Sequence, residues 1–346
     1  MSFAMSESYF HADAGIALDG VPREPLQDCR VLLTGASGVV GIHMAAAFRR
    51  LIDEGSKLRL QVTFQSPVTG VIAEMLDHPQ ISIRRGDLTD PAFRRSLDQA
   101  ELILHAAGYG QPGRFLENPG KTIRLNTEAT LDLLEKVPTG GRFLFVSTSE
   151  LYVGLPAGEP NSEDRIGTTN TTHPRACYIE GKRCGEAACN AARAGGIHAV
   201  SGRLALAYGP GAHAHDRRVL YTFIEKALQQ GEIAMMDHGE ARRIYCYAPD
   251  AVRIMLRAVL EGREPIYNVG GRGVLLIREV AEKIGAQLGV PVRLPETARP
   301  LEGAPAEVGL DMGLYEREFG PLKYVDFDEG LRRTIAWHRR KPTAVA

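Results

Sequence analysis

Arg30-Val31-Leu32-Leu33-Thr34-Gly35-Ala36-Ser37-Gly38-Val39-Val40-Gly41 reads as an apolar strand that runs into three glycines and then a helix. Each glycine has its own physical task. Gly35 lets the chain turn tightly, Gly38 lets backbone approach a pyrophosphate, and Gly41 lets the new helix lie close on the sheet. The pyrophosphate of a dinucleotide then sits at the helix N-terminus, where unpaired N–H groups and the helix dipole favour negative charge. Glycine strings also occur in ordinary turns. The preceding strand and the following amphipathic stretch supply the context that the motif requires.

Outward from this stretch, apolar runs alternate with amphipathic ones. Strands are predicted at Arg30–Thr34, Leu58–Phe64, Ile81–Arg85, Leu102–Ala106, Arg142–Ser147 and Ala199–Leu206. Helices are predicted between them at Gly38–Glu54, Val71–Asp77, Pro91–Gln99, Lys121–Lys136 and Pro174–Arg193, with Pro174 in the first turn of the last. This alternation predicts an α/β fold with a doubly wound parallel sheet of the Rossmann type. After Tyr208-Gly209-Pro210 the pattern changes, to a helix at Val219–Gln230, a strand at Arg243–Tyr247 and a helix at Ala251–Glu261. The organisation expected is an N-terminal surface arm at 1–26 and a dinucleotide-binding domain at 27–207, to which 240–262 returns. A smaller C-terminal substrate lobe at 208–239 and 263–346 caps the carboxyl edge of the sheet.

Composition excludes several functions. The chain has 346 residues, 44% of them hydrophobic, with a formal net charge of −1. That allows a substantial core but provides no field for nucleic acid or an anionic membrane. No apolar run approaches the roughly 18 residues of a bilayer span, and Met1–Gln27 lacks the basic-then-apolar pattern of a secretion signal. Cys29, Cys177, Cys184, Cys189 and Cys246 form no C-x-x-C pair, which points to reduced thiols in a cytoplasm. His213 and His215 have no third ligand cluster nearby, so no metal site is expected and a solvated loop is the reading.

Chemistry enters in the order of several short motifs. Gly86-Asp87-Leu88-Thr89-Asp90 follows the third strand and offers a carboxylate to an adenine amino group. His105-Ala106-Ala107-Gly108 ends the fourth, with small residues against which a cofactor can lie and a histidine read as structural. The fifth strand ends in Ser147-Thr148-Ser149-Glu150, and Tyr178-Ile179-Glu180-Gly181-Lys182 follows on a helix. Tyrosine and lysine four apart share a helix face. A tyrosine acting as a base near neutrality needs its pKa lowered by about 3 units, or about 4 kcal/mol. A nearby ammonium and a cationic nicotinamide ring both work in that direction.

The G-x-x-G-x-x-G spacing, one residue longer than the usual Rossmann form, resembles the short-chain dehydrogenase/reductase superfamily. Together with the motifs above, Pro174–Glu186 (PRACYIEGKRCGE), Tyr208-Gly209-Pro210 and Gly239–Tyr247, the chain resembles its extended branch, the NAD-dependent nucleotide-sugar epimerases, 4,6-dehydratases and UDP-glucuronate decarboxylases. The likeness runs from about Arg30 to Ala258 and is closest to the decarboxylases. It implies NAD as cofactor, held by Gly35, Ser37, Gly38, Val39, Gly41, Asp87, Leu88, Ala106, Ala107, Tyr178 and Lys182. It implies a catalytic set of Thr148, Tyr178, Lys182 and Glu150, with Tyr178 taking a proton from the sugar C4 hydroxyl. Ser149, Arg243 and Arg218 would hold the nucleotide-sugar substrate. A homodimer through the helices at Lys121–Lys136 and Pro174–Arg193, with small Ala187, Ala188 and Ala191, is also implied.

The chain departs from the family in places. Ser149-Glu150 stands where the 4,6-dehydratases carry Asp-Glu, which argues for epimerisation or decarboxylation over simple dehydration. Leu206 stands where the family has an asparagine near the substrate, and Glu302–Val308 contains no arginine where the decarboxylases carry an arginine-rich stretch. Phe64-Gln65-Ser66 has no acid for the ribose hydroxyls and no arginine for a 2′-phosphate. Alternatives left open are a dehydratase, a 4-dehydrogenase or reductase, and, in another class, a non-catalytic dinucleotide sensor.

Overall fold

In a computed structural model of the chain, residues 3–213, 216–297 and 307–340 are described. Seven parallel strands form the central sheet. They are β1 (Arg30–Thr34), β2 (Arg59–Phe64), β3 (Ile81–Arg85), β4 (Leu102–His105), β5 (Arg142–Thr148), β6 (His198–Leu204) and an edge strand at Ile266–Val269. Their spatial order is Ile266–Val269, β6, β5, β4, β1, β2, β3. The central strands are continuous apolar runs because helices cover both faces. The edge strand β3 carries Arg84 and Arg85 and is half exposed, which blunts it against further pairing.

The helices are α1 (Phe3–Ala17), α2 (Val39–Asp53), α3 (Gly70–Leu76), α4 (Pro91–Arg95), α5 (Pro112–Glu117), α6 (Pro119–Asn126), α7 (Glu128–Leu134), α8 (Ala176–Ala194), α9 (Val219–Gln230), α10 (Ala248–Glu261), α11 (Ile277–Leu288), α12 (Gly313–Phe319) and α13 (Phe327–His338). One core joins α2, α10 and the sheet through Phe48, Leu33, Val62 and Met255. A second core lies among α9, α11 and α13, built on Tyr208, Phe223, Ile224, Ile284 and Leu331.

The N-terminal segment is not a surface arm. Helix α1 packs against α2 and α10, and Phe10, Ala14, Ala17 and Leu18 are buried in the first core. Their spacing is a helical stripe. It was obscured because Asp13 lies among them, and Asp13 is itself fully buried. Its carboxylate accepts from the Tyr247 hydroxyl at 2.9 Å and from Arg333 Nη1 at 2.9 Å, so the charge is paired and tolerated.

Several boundaries also move. The helix expected over Lys121–Lys136 is two, parted at Thr127, whose backbone leaves helical geometry (φ −114°, ψ −78°), where Asn126 Nδ2 and Thr127 Oγ1 also bond back to Thr122 O and Ile123 O. The strand expected over Ala199–Leu206 stops at Leu204. Leu206–Tyr208 (β7) joins Tyr245–Tyr247 in a separate two-stranded sheet. Arg242–Arg243 therefore parts from Tyr245–Tyr247 and pairs with Leu275–Leu276 instead. Helix α4 ends at Arg95, short of Gln99, and α8 starts at Ala176, so Pro174 lies before its first turn.

Candidate active site

The glycine loop shows which of its glycines the protein itself requires. Gly35 has φ +75°, and a Cβ there would lie 2.5 Å from the Ala106–Ala107 peptide at the end of β4. A Cβ on Gly41 would lie 2.1 Å from Gly35 O. Gly38 differs, since the nearest protein atom to a Cβ there is Gly35 O at 3.5 Å. Gly38 also precedes α2 as a cap without a side-chain acceptor, so the first N–H groups of α2 remain for an anion. The residues present fit the pyrophosphate of a dinucleotide.

A cavity of ≈ 300 Å³ runs from this loop to the end of β5 and the junction of β6 with β7. It is lined by Gly35, Ser37, Gly38, Val39, Gly41, Asp87, Leu88, Ala106 and Ala107 at one end and by Thr148, Ser149, Glu150, Tyr178, Lys182 and Arg218 at the other. Every residue given a catalytic, cofactor-binding or substrate-binding role from the sequence lines this cavity except Arg243. Burial disfavours the Asp87 carboxylate, but Thr89 N and Oγ1 at 2.8 Å and Lys121 Nζ at 3.0 Å outweigh it and hold its pKa below the usual value. Lys121 reaches Asp87 from α6, a contact that sequence reading did not find. His105 is structural, as read. Its Nε2–H donates to Leu125 O at 2.9 Å and its Nδ1 accepts from Thr34 Oγ1 at 2.7 Å. Burial pushes its pKa down to about 4, so the ring is neutral.

The reactive end has a definite hydrogen-bond order. Thr148 ends β5, and its oxygen accepts from Glu150 N at 3.2 Å, which leaves its proton for the Tyr178 phenol. Tyr178 and Lys182 lie on the inward face of α8. Phe115 from α5 stacks on the Tyr178 ring, with centroids 4.7 Å apart and planes within 3°. Burial pushes the Tyr178 phenol up to about 12, Glu150 adds to that, and Thr148 opposes it. Lys182 Nζ donates to Val146 O at 2.6 Å and lies 5.9 Å from the Tyr178 ring centroid. Burial pulls its ammonium down to about 7, against the pull of Glu186. Beneath these groups Ser147 Oγ donates to Glu186 Oε1 at 2.6 Å. Arg203 closes the network with bonds to both Glu186 oxygens, the Tyr152 hydroxyl and the carbonyls of Glu163 and Arg165.

Glu150 is more constrained than the motif alone suggested. Its Oε1 accepts from Arg175 Nη1 at 2.6 Å, while Oε2 is buried and accepts nothing from the described residues. Arg175 lies inside the quoted PRACYIEGKRCGE segment, yet only the fold brings it onto Glu150. Arg218 is clamped by Asp216, with Nη2–Oδ2 at 2.6 Å, and lies over the Tyr221 ring at 5.1 Å. Arg243 is half-buried on Arg242–Arg243, its Nη1 donating to Arg242 O at 2.7 Å. It feels the charges of Arg175 and Glu150 but does not line the cavity. Leu206 does line it. His213 is not the solvated loop residue expected. It is half-buried and lines the cavity, whereas His215 and Glu302–Ala306 lie outside the described residues. Among the described residues no cluster of three or more His, Cys, Asp or Glu could hold a metal ion, and no helix is long and apolar enough to cross a membrane.

Known proteins resemble this chain over most of its length. UDP-glucuronic acid decarboxylase 1 of Xenopus tropicalis is 28% identical over 314 residues, 90% of this chain and 72% of that protein. UDP-glucuronic acid decarboxylase 6 of Arabidopsis thaliana is 31% identical over 259 residues, 74% of this chain and 73% of that protein. Among solved structures, DesIV, a dTDP-glucose 4,6-dehydratase of Streptomyces venezuelae with NAD and TYD bound, superposes with a TM-score of 0.76 at 25% identity, covering 90% of this chain and 97% of that one. The NAD dependent epimerase/dehydratase family matches residues 31–270, the span that builds the glycine loop and the Thr148, Tyr178 and Lys182 cluster. This chain belongs to that family.

Proposed function

We propose that this protein is an NAD-dependent enzyme that modifies a nucleotide sugar through transient oxidation at C4, with epimerisation or decarboxylation as the outcome. The observation that carries the reading is the convergence of Thr148, Tyr178 and Lys182 in one cavity with the glycine loop. NAD, when bound, supplies a hydride acceptor that returns the hydride, so it is regenerated within the cycle. Tyr178 takes the proton from the sugar hydroxyl, and Thr148 holds that hydroxyl within reach. Burial alone leaves the Tyr178 phenol protonated at neutral pH, against the pull of Arg218 and Arg175, and Lys182, whose Nζ lies 5.9 Å from the ring centroid, is the proposed further source of positive charge. Glu150 lines the cavity with its Oε2 unpartnered among the described residues, and Arg175 keeps that carboxylate oriented.

The two curated relatives quoted are decarboxylases of UDP-glucuronic acid by name, so a UDP-hexuronic acid heads the substrates to be tried. Incubation of the purified protein with UDP-, GDP-, ADP-, CDP- and dTDP-sugars, followed by mass spectrometry, tests the reading. Loss of carbon dioxide marks a decarboxylase, and an unchanged mass with a new sugar stereochemistry marks an epimerase. No turnover of any of them, with NAD still bound, would favour the sensor instead.

Arg243 is the proposed clamp for the substrate diphosphate, since a guanidinium pairs with phosphate oxygens through two parallel bonds. The charges of Glu150, which lines the cavity, and of Arg175 both act on it, which supports this reading. Arg243→Ala is expected to weaken binding of a nucleoside diphosphate by about 1.5–3 kcal/mol, with NAD affinity unchanged. Calorimetric titration checks this, and an unaltered diphosphate affinity would leave Arg242 or Arg218 for the role.

We also propose a homodimer through α6, α7 and α8. Ile123 is 45% and Leu131 52% exposed, and they share this region with exposed Ala187 and Ala191. Small residues allow close helix approach. Ile123→Glu combined with Leu131→Glu is expected to convert a dimer into a monomer by sedimentation at micromolar concentration. A wild-type protein that already sediments as a monomer would remove the proposal. The five cysteines, none in a disulfide, fit a reducing cytoplasm.

A further inference from the structure

Residues 209–213, which follow β7, are fixed from behind by three elements. His43 Nε2 on α2 donates to Pro210 O at 3.0 Å, and Trp337 Nε1 on α13 donates to Ala212 O at 3.3 Å. Gly211 between them has φ +89°, and a Cβ there would meet Ile42 at 2.7 Å and the Phe10 ring at 3.4 Å. Phe10, from the N-terminal helix, stands edge-on to both His43 and Trp337, at 5.5 and 5.4 Å between centroids. Helix α1 precedes the span that matches the family, yet it supports this turn. The anchored turn delivers His213 to the cavity wall that Gly35, Ser37 and Gly38 also form, where the Ser37 main chain favours the charged ring.

We propose that His213 is a diphosphate ligand whose imidazolium pairs with the pyrophosphate of the dinucleotide at the Ser37–Gly38 turn. The proposal rests on the reading that a dinucleotide occupies the glycine loop. Protonated histidine has two N–H donors. One faces the Ser37 main chain, which favours the charged ring, and the other is left for a phosphate oxygen in a charge-assisted bond. The charged groups facing the ring are Asp216, Arg114 and Arg218. Burial and the two arginines hold its pKa below the ordinary histidine value, and Asp216 opposes them. Asp216 already accepts both Nε and Nη2 of Arg218, so its charge is largely answered. The ring is therefore mostly neutral near pH 7 until an anion arrives. A bound diphosphate favours the imidazolium, raises its pKa and draws a proton from solution. Affinity is then greatest in acid and falls as pH rises through the pKa of the bound form.

Calorimetric titration of NAD into wild type and His213→Gln, near pH 5.5 and near pH 8, tests this. Two buffers of different ionisation enthalpy make proton uptake visible. Glutamine keeps a donor for Ser37 but cannot acquire charge. Wild type is expected to take up a proton in the neutral range and to bind about five- to tenfold more weakly at the higher pH, with His213→Gln nearly insensitive to pH. Lys182 also titrates near 7, but it is common to both proteins, so their difference isolates His213. Equal pH dependence in the two proteins overturns the proposal, as does equal proton uptake by the two. A parallel titration with UDP separates the two possible diphosphates. A dependence lost in the UDP arm alone assigns the contact to the substrate and overturns its assignment to the dinucleotide. If NAD fails to bind at any pH, the dinucleotide reading falls along with this proposal. NAD binding without the expected pH difference removes only the role of His213.

Discussion

Tyr178→Phe is expected to lower turnover of the nucleotide sugar by about 10²- to 10⁴-fold, the usual contribution of a positioned proton-transfer group. The phenyl ring keeps the stack on Phe115 and the packing of α8 on β5. Only the hydroxyl is removed. A hydrogen bond from such a group contributes about 1 kcal/mol to stability, and the desolvation cost of a buried hydroxyl is removed at the same time. The variant should therefore melt close to wild type and bind NAD with the same affinity. Product formation followed by mass spectrometry, with NAD affinity measured separately, distinguishes loss of the base from loss of the site. Turnover within tenfold of wild type would place the base elsewhere. Loss of both turnover and NAD binding would show that the phenol has a structural task.

The three glycines are expected to separate into two kinds. Gly41→Ala places a methyl 2.1 Å from Gly35 O, against backbone that cannot move without displacing α2 from β1. Overpacking of this kind costs about 1–3 kcal/mol or more, and the shift it forces opens the turn that holds the pyrophosphate. Stability and NAD binding should both fall. Gly38→Ala meets nothing in the protein closer than 3.5 Å, so denaturant unfolding should stay within about 0.5 kcal/mol of wild type. The added methyl instead occupies the space over the loop that the pyrophosphate needs, and NAD affinity should drop by at least about tenfold. Urea titration and NAD binding on both variants check the pair. Unaltered NAD affinity in Gly38→Ala would mean that the dinucleotide does not approach this turn. A Gly41→Ala protein as stable as wild type would contradict the close packing of α2 on the sheet.

The architecture was legible because local pattern and global fold agree along the first two-thirds of the chain. Strand β1 and the glycine loop could be read directly, since a buried parallel strand needs an unbroken apolar run and Gly35 and Gly41 have no sterically acceptable replacement. Tyr178 and Lys182 were equally legible, because helical spacing alone puts positions four apart on one side. The N-terminal helix was not. Its buried stripe includes Asp13, and a carboxylate reads as a surface residue until Tyr247 and Arg333, more than 200 positions away, are seen to pair with it.

Relations between distant segments were decided only in three dimensions. Lys121 on Asp87, Arg175 on Glu150 and Glu186 under Ser147 join groups with no periodic relation in the sequence. The same holds for His213, which looked like a loop histidine until His43, Trp337 and Phe10 fixed the turn before it. The phenol of Tyr178 makes the point in energetic form. The sequence by itself determined that a tyrosine and a lysine share a helix face behind a dinucleotide loop. The tertiary structure decided that both are buried, which raises the phenol's pKa and lowers the ammonium's. Desolvation depends on every element packed around a group, and no short motif carries that information.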